Sequence, residues 1–154
     1  MFRLVIAAAA MIVAIAFNQP VRTEDADLIV KESAFDFATT VQRLQTEIEK
    51  RGAKIVVTVD HAAAAKVTGL ELRPTTVILF GNPALGTPLM QDRQTAGLDL
   101  PLRVLIWEDE NGRVQIGYRP PSHITDVHGI ENLKEVTDKM AGALNAITDA
   151  AVAG

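Results

Sequence analysis

The chain has 154 residues, 48% of them hydrophobic, with 15 Lys and Arg against 19 Asp and Glu, a net charge of −4 and no cysteine. That length makes one domain with room for a core. The lack of Cys excludes disulfide staples, thiolate metal sites and a cysteine nucleophile, and the acidic balance offers no basic field for nucleic acid.

Arg3 precedes a charge-free apolar run from Leu4 to Ala16. A membrane-spanning helix needs about 20 apolar residues, and Asn18, Gln19, Pro20 and Arg22 interrupt this one early. Ala14-Ile15-Ala16 has the small-x-small pattern read by a signal peptidase, so residues 1–16 are a predicted signal peptide cleaved before Phe17. The alternative is an uncleaved anchor through Leu4 to Phe17. Either way the folded part is exported, periplasmic or extracellular, and cleavage leaves no stable membrane insertion. Residues 17–27 mix polar and charged types without periodicity and form a flexible lead-in. The domain then occupies residues 28–154 and is stabilised by burial alone.

Leu28-Ile29-Val30 predicts a first strand. Asp36 is placed to cap a helix in which Phe37, Val41, Leu44 and Ile48 recur at helical spacing, with Gly52 just beyond its end. From Ala53 to Asp60, Ile55, Val57 and Val59 alternate with Lys54, Val56 and Thr58, as in a strand with one buried face. His61 to Val67 is rich in Ala and is closed by Gly69, which predicts a short helix.

Thr75 to Phe80 is a continuous apolar and β-branched run, the pattern of a central strand covered on both faces. A second helical stretch follows around Leu85 to Gln94. Leu102 to Glu108 and Val114 to Tyr118 flank Asn111-Gly112, the signal of an antiparallel hairpin with positive φ at both turn residues. Pro120-Pro121 ends the last strand. Ile130, Leu133, Val136, Met140, Leu144 and Ile147 then step through a C-terminal helix. The order β-α-β-α-β-α-β-β-α predicts an α/β (α+β) two-layer sandwich: a single domain with a mixed sheet of about five strands and helices.

The corner Gly81-Asn82-Pro83 ends the buried strand and starts a helix, with Asn82 as N-cap and Pro at the first helical position. Exposed amides at such a helix start would hold a carboxylate or other small organic anion; a well-made cap with no ligand is the simpler structural reading. The corner lacks the Lys-Ser/Thr ending of a phosphate loop, which disfavours a nucleotide. His61, after Asp60, would serve as a general base or a lone ligand if it opened onto the same hollow as Asn82; otherwise it is an ordinary helix-start residue. His123 and His128, with Asp126 between them, read as solvated loop residues rather than a metal site. Trp107 and Tyr118, on facing strands, read as a packed cross-strand pair. There is no Gly-x-Ser-x-Gly elbow, paired-histidine zinc helix or glycine-rich dinucleotide turn. Glu108 to Glu110 read as solvated charges at the turn.

From about Val30 to Val127 the chain resembles the family catalogued as domain of unknown function 302 (DUF302). The likeness rests on Phe35-Asp36 with Thr40, Asp60-His61 followed by Ala65, Gly69-Leu70, Phe80-Gly81-Asn82-Pro83, Gly86-Thr87-Pro88-Leu89-Met90, Leu98-Asp99-Leu100-Pro101-Leu102, and Tyr118 with Pro120-Pro121. The resemblance implies a compact α/β fold that associates as a homodimer, and it supplies no catalytic role and no cofactor. It raises the interest of His61, Asn82, Pro83 and Met90. The expectation is therefore an exported small-ligand-binding or assembly module without covalent catalysis, its ligand held by His61, Gly81, Asn82, Pro83, Met90 and Tyr118. One rival is an enzyme with His61 as base and the Asn82 helix start holding an oxyanion; another is a copper- or haem-handling protein using His61 and Met90.

Overall fold

The computed structural model describes residues 28–154; the signal peptide and lead-in expected over residues 1–27 lie outside the described residues. In chain order the elements are β1 (Ile29–Glu32), α1 (Phe37–Lys50), β2 (Lys54–Asp60), α2 (His61–Val67), β3 (Thr75–Gly81), α3 (Pro83–Asp92), a 3-10 turn (Gln94–Leu98), β4 (Leu102–Glu108), β5 (Val114–Tyr118), α4 (Ser122–His128) and α5 (Lys134–Val152). The strands form one five-stranded sheet in the order β1-β5-β4-β3-β2.

Every neighbouring pair in that sheet is antiparallel. The two-layer α+β architecture expected from the element order is present, but the sheet is not mixed. The helices between β1, β2, β3 and β4 look like parallel crossovers in sequence. In space, α1 carries the chain from one edge of the sheet to the other, and β2, β3 and β4 then fold back beside one another.

The α1 helix forms where its apolar spacing predicts. The Asp36 carboxylate accepts from the Thr39 amide at 2.9 Å, and Leu44 and Ile48 are fully buried. With Leu144, Ile147 and Ala151 of α5 they cover Ile78 and Phe80 of β3, Val104 and Ile106 of β4, and Ile116 and Tyr118 of β5. Fully burying each such aliphatic side chain contributes about 1.5–3 kcal/mol. Two long polar side chains tie the layers. Arg43 of α1 donates to the carbonyls of Ala150, Ala151 and Ala153 at 2.8–3.0 Å, satisfying the otherwise open C-terminus of α5. Lys31 of β1 donates to Asn145, Thr148 and Asp149 at 2.6–2.8 Å. A second, smaller core joins Leu89 of α3, Ala96, Ile124 of α4, Ile130 and Met140 of α5.

The opposite face of the sheet stays outside both cores. In β3, Thr76, Ile78 and Phe80 are buried whereas Thr75, Val77 and Leu79 are half-buried, so this strand is interior but not covered on both sides as its continuous apolar run predicts. Leu105 and Trp107 share that open face. The expected alternation of β2 also changes. A register shift between Ile55 and Val57 puts Ile55 opposite Phe80 on the helix side, and Val57 and Val59 opposite Leu79 and Val77 on the open side. An extra residue in one strand of a pair has this effect, because every later side chain changes face. Thr58 confirms the assignment, since its hydroxyl accepts from Gln45 of α1 at 3.3 Å.

Trp107 and Tyr118 do not form the expected cross-strand pair. Trp107 lies on the open face against Gly117, while Tyr118 is buried on the helix face. The hairpin turn also departs from expectation, for only Gly112 has positive φ and Asn111 does not. The loop runs from Asp109 to Arg113, closed by the Asp109 amide donating to the Arg113 carbonyl at 2.8 Å. This is the longer hairpin loop with one left-handed residue. α5 begins at Lys134, so Ile130 and Leu133 precede the helix that their spacing predicts they join.

Candidate ligand-binding cavity

The turn from β3 into α3 is built as the sequence predicts. Asn82 is extended (φ −127°) and its side-chain oxygen accepts from the Ala84 amide at 3.0 Å, with Pro83 in the first turn. The exposed amides expected there are not free. Ala84 donates to the Asn82 side chain, Leu85 and Gly86 donate to the Asn82 carbonyl at 2.9 and 3.1 Å, and Pro83 has no N–H. The helix start is therefore a satisfied cap, and neither the anion pocket nor the oxyanion hole expected at it is formed by these amides.

Beside this corner lies a cavity of about 450 Å³. Its walls come from four parts of the chain: Arg51, Ala53, Lys54 and Val56 at the α1–β2 turn; Phe80 to Pro83 with Leu85, Gly86, Thr87 and Met90 at the β3–α3 corner; Leu100 to Leu102; and Met140, Ala143, Leu144 and Ile147 of α5. Gly81 faces Pro101 of the third wall, whose Cβ lies 3.4 Å from where a side chain would begin. The lining is almost wholly apolar, with Asn82, Thr87, Arg51 and Lys54 as its polar members and no acidic side chain among the described residues. Ligand cavities generally combine this size, an apolar wall and a few polar groups.

Gly81, Asn82, Pro83 and Met90 are thus brought together in one hollow, while His61 and Tyr118 are not among its lining residues. β2 and β3 are antiparallel, with Lys54 opposite Gly81 and Asp60 opposite Thr76. His61 follows the far end of β2, whose length at about 3.3 Å per residue puts it roughly 20 Å from the Asn82 corner. His61 is exposed and its side chain forms no hydrogen bond among the described residues, while Asp60 caps α2 by accepting from Ala63 at 2.8 Å. The composite site of His61 and Asn82 is therefore not formed, and His61 is likewise absent from the lining that holds Met90. Tyr118 sits under α5, its hydroxyl 3.5 Å from Asn145 Oδ1.

His128 differs most from its sequence reading. It ends a helix, α4, that the Pro-rich sequence does not advertise as one, and its side chain is only 7% exposed. Its Nε2 lies 2.8 Å from Asp99 Oδ2 and its Nδ1 lies 3.0 Å from Thr95 Oγ1. Pro121 just before the helix and Gly129 just after it, with φ 65°, are the signals that mark α4. Asp109 likewise is no idle surface charge. It accepts from the amides of Asn111 and Arg113 and from the Arg113 guanidinium at 2.9–3.0 Å, and the Arg113 amide above all holds its carboxyl below the ordinary value. Among the described residues no group of three or more His, Cys, Asp or Glu side chains is arranged to hold a metal ion.

An antiparallel five-stranded sheet with its main helices on one face defines a two-layer α+β domain, and the apolar hollow opens at one end of it. The profile of the family described as Domain of unknown function DUF302 matches residues 29–149. The chain belongs to the DUF302 family. The crystal structure of an uncharacterized conserved DUF302 protein from Bacillus stearothermophilus has the same fold, with a TM-score of 0.74 and 18% identity over 80% of this chain and 97% of that one. Three curated relatives from Brucella are each 41% identical over 115 residues, or 75% of this chain. They are fluoride-specific ion channel FluC 1 of Brucella suis, of which the match covers 45%, FluC 1 of Brucella abortus, 43%, and FluC 2 of Brucella melitensis, 43%. The chain spans less than half the length of these relatives.

Proposed function

We propose that the protein is an exported small-ligand-binding module that acts without covalent catalysis and seats its ligand in the cavity beside Asn82. The observation that carries this reading is the cavity itself: about 450 Å³ walled by Phe80, Leu85, Met90, Leu100 and α5, with few polar groups. A reaction would need a nucleophile or base there, and Thr87 and Lys54 have no histidine or carboxylate beside them in the lining. Export is supported by the apolar segment Leu4 to Ala16 behind Arg3.

A thermal-shift panel of small apolar and amphiphilic compounds tests the reading. A ligand at 100 times its Kd stabilises the folded state by about 2.7 kcal/mol. Stabilisation without turnover, abolished when Ala143→Trp fills the cavity, is the expected result. A panel in which no compound shifts the transition overturns it.

A second reading, that of an assembly module beside a membrane transport protein, draws support from the Brucella relatives. The aligned region is less than half of each of those channels. Among the described residues of this chain no helix is long and apolar enough to cross a membrane. Cells lacking the chain would then become more sensitive to fluoride, and unchanged resistance would dismiss this reading. Association as a homodimer, which the family likeness implies, would use the open sheet face of Val57, Val77, Leu79, Leu105 and Trp107.

A further inference from the structure

We infer that the ligand is an amphiphile with an apolar body and a single anionic head, a carboxylate held at the cavity mouth by Lys54 and Asn82; this rests on the ligand-binding reading above. Size sets the body. At about 30 Å³ for each solvent-sized unit, the volume holds roughly fifteen non-hydrogen atoms, and walls such as Phe80, Leu102 and Met140 supply no partner for a polar group inside.

Charge sets the head. The lining carries two cations, Arg51 and Lys54, both exposed, and no acidic side chain. Arg51 is paired with Glu47, which also binds Lys50 at 2.8 Å, so two cations already share one carboxylate. Lys54 is exposed and has no ion pair among the described residues. Its ammonium is the uncompensated charge of the rim. Asn82 uses its side-chain oxygen on Ala84, which leaves its NH₂ to donate outward. The α3 amides are already bonded, so an anion at this end of the sheet meets the Lys54 ammonium and the Asn82 NH₂ rather than the helix start. A cationic head would be repelled, and a neutral one would leave the Lys54 charge unanswered.

Octanoate, octanol and octylamine share one chain length and differ in head charge, so calorimetric titration of each into the full chain and into the chain cleaved after Ala16 separates the arguments. Octanoate is expected to bind best and octylamine worst. Lys54→Glu, an exposed substitution that reverses the charge, is expected to weaken octanoate at least about ten-fold, the effect of losing one charged hydrogen bond and gaining a repulsion, and so to close the gap between octanoate and octanol. Equal binding of octanoate and octanol, or no effect of Lys54→Glu, overturns the anionic head and leaves the ligand-binding reading standing. Binding by none of the three, alongside a panel that also gives no shift, removes both. Octanoate binding only after cleavage would identify the chain's own apolar segment as the occupant, and binding that weakens as protein concentration rises would identify a second copy; either overturns the proposal.

Discussion

His128 and Asp99 lie 29 residues apart in sequence and 2.8 Å apart in space, Nε2 to Oδ2, with Thr95 Oγ1 on the other ring nitrogen. The contact clasps α4 to the loop that enters β4, next to the smaller core of Leu89, Ala96 and Ile124. His128→Ala removes both hydrogen bonds and leaves a gap around a side chain 7% exposed. A loss of about 1–3 kcal/mol is expected in urea denaturation, with Asp99→Asn costing less because it retains an oxygen acceptor. A His128→Ala variant as stable as the parent would remove the clasp from the account.

Gly117 is required by its neighbour. A Cβ at this position would lie 2.8 Å from Trp107 Cζ3, closer than packed carbons approach. Gly117→Ala is expected to displace the indole and to destabilise by about 1–3 kcal/mol through overpacking. Trp107 is the only tryptophan in the chain, so its fluorescence reports the displacement directly. An unchanged emission spectrum and transition would contradict the contact.

Acid should destabilise the protein through Asp36 and Asp109. Backbone hydrogen bonds, from Thr39 to Asp36 and from Arg113 to Asp109, hold each carboxyl below its ordinary value of 3.8. A carboxyl depressed in the folded state contributes stability that is fully present above the unfolded value and is lost as pH falls through the folded one. The acid limb of stability should therefore lie below pH 4, and Asp109→Asn should flatten it without changing its sign. Both groups are solvent-facing, so the effect is small. Equal pH slopes for parent and variant would show that the hairpin loop contributes nothing.

If two copies pair through the open sheet face, a charge there will separate them. Leu79 is half-buried, on the side of β3 away from α1 and α5. Leu79→Asp is expected to convert a dimer to a monomer in analytical ultracentrifugation while the helix-side core stays folded. A dimer that survives the change would place the contact elsewhere.

Much of this architecture was legible in the sequence because local signals dominate it. Asp36 and Asn82 cap the helices that their positions predict, and β4 and β5 run as expected on either side of Gly112. Strand orientation was not legible, because a short helix such as α2 fits between antiparallel neighbours as readily as between parallel ones. That single ambiguity separates His61 from the cavity. Half of the cavity was visible in the run from Gly81 to Met90. The other half, Lys54 and the α5 residues Met140, Ala143 and Ile147, is assembled only by the folded topology. His128 read as solvated because its partners Asp99 and Thr95 lie far away in sequence. The change of face within β2 likewise has no signature in its alternating residues.

That irregularity in β2 has a consequence for solubility. β2 forms one border of the sheet, and Val56, at its irregular point, is 66% exposed. A straight apolar border would offer its unpaired amides and carbonyls to any other extended chain. Here the ladder loses its step at one residue and Lys54 sits beside the break, so an incoming strand cannot stay in phase along the whole border. The same offset residue works against fibrous self-stacking along this border.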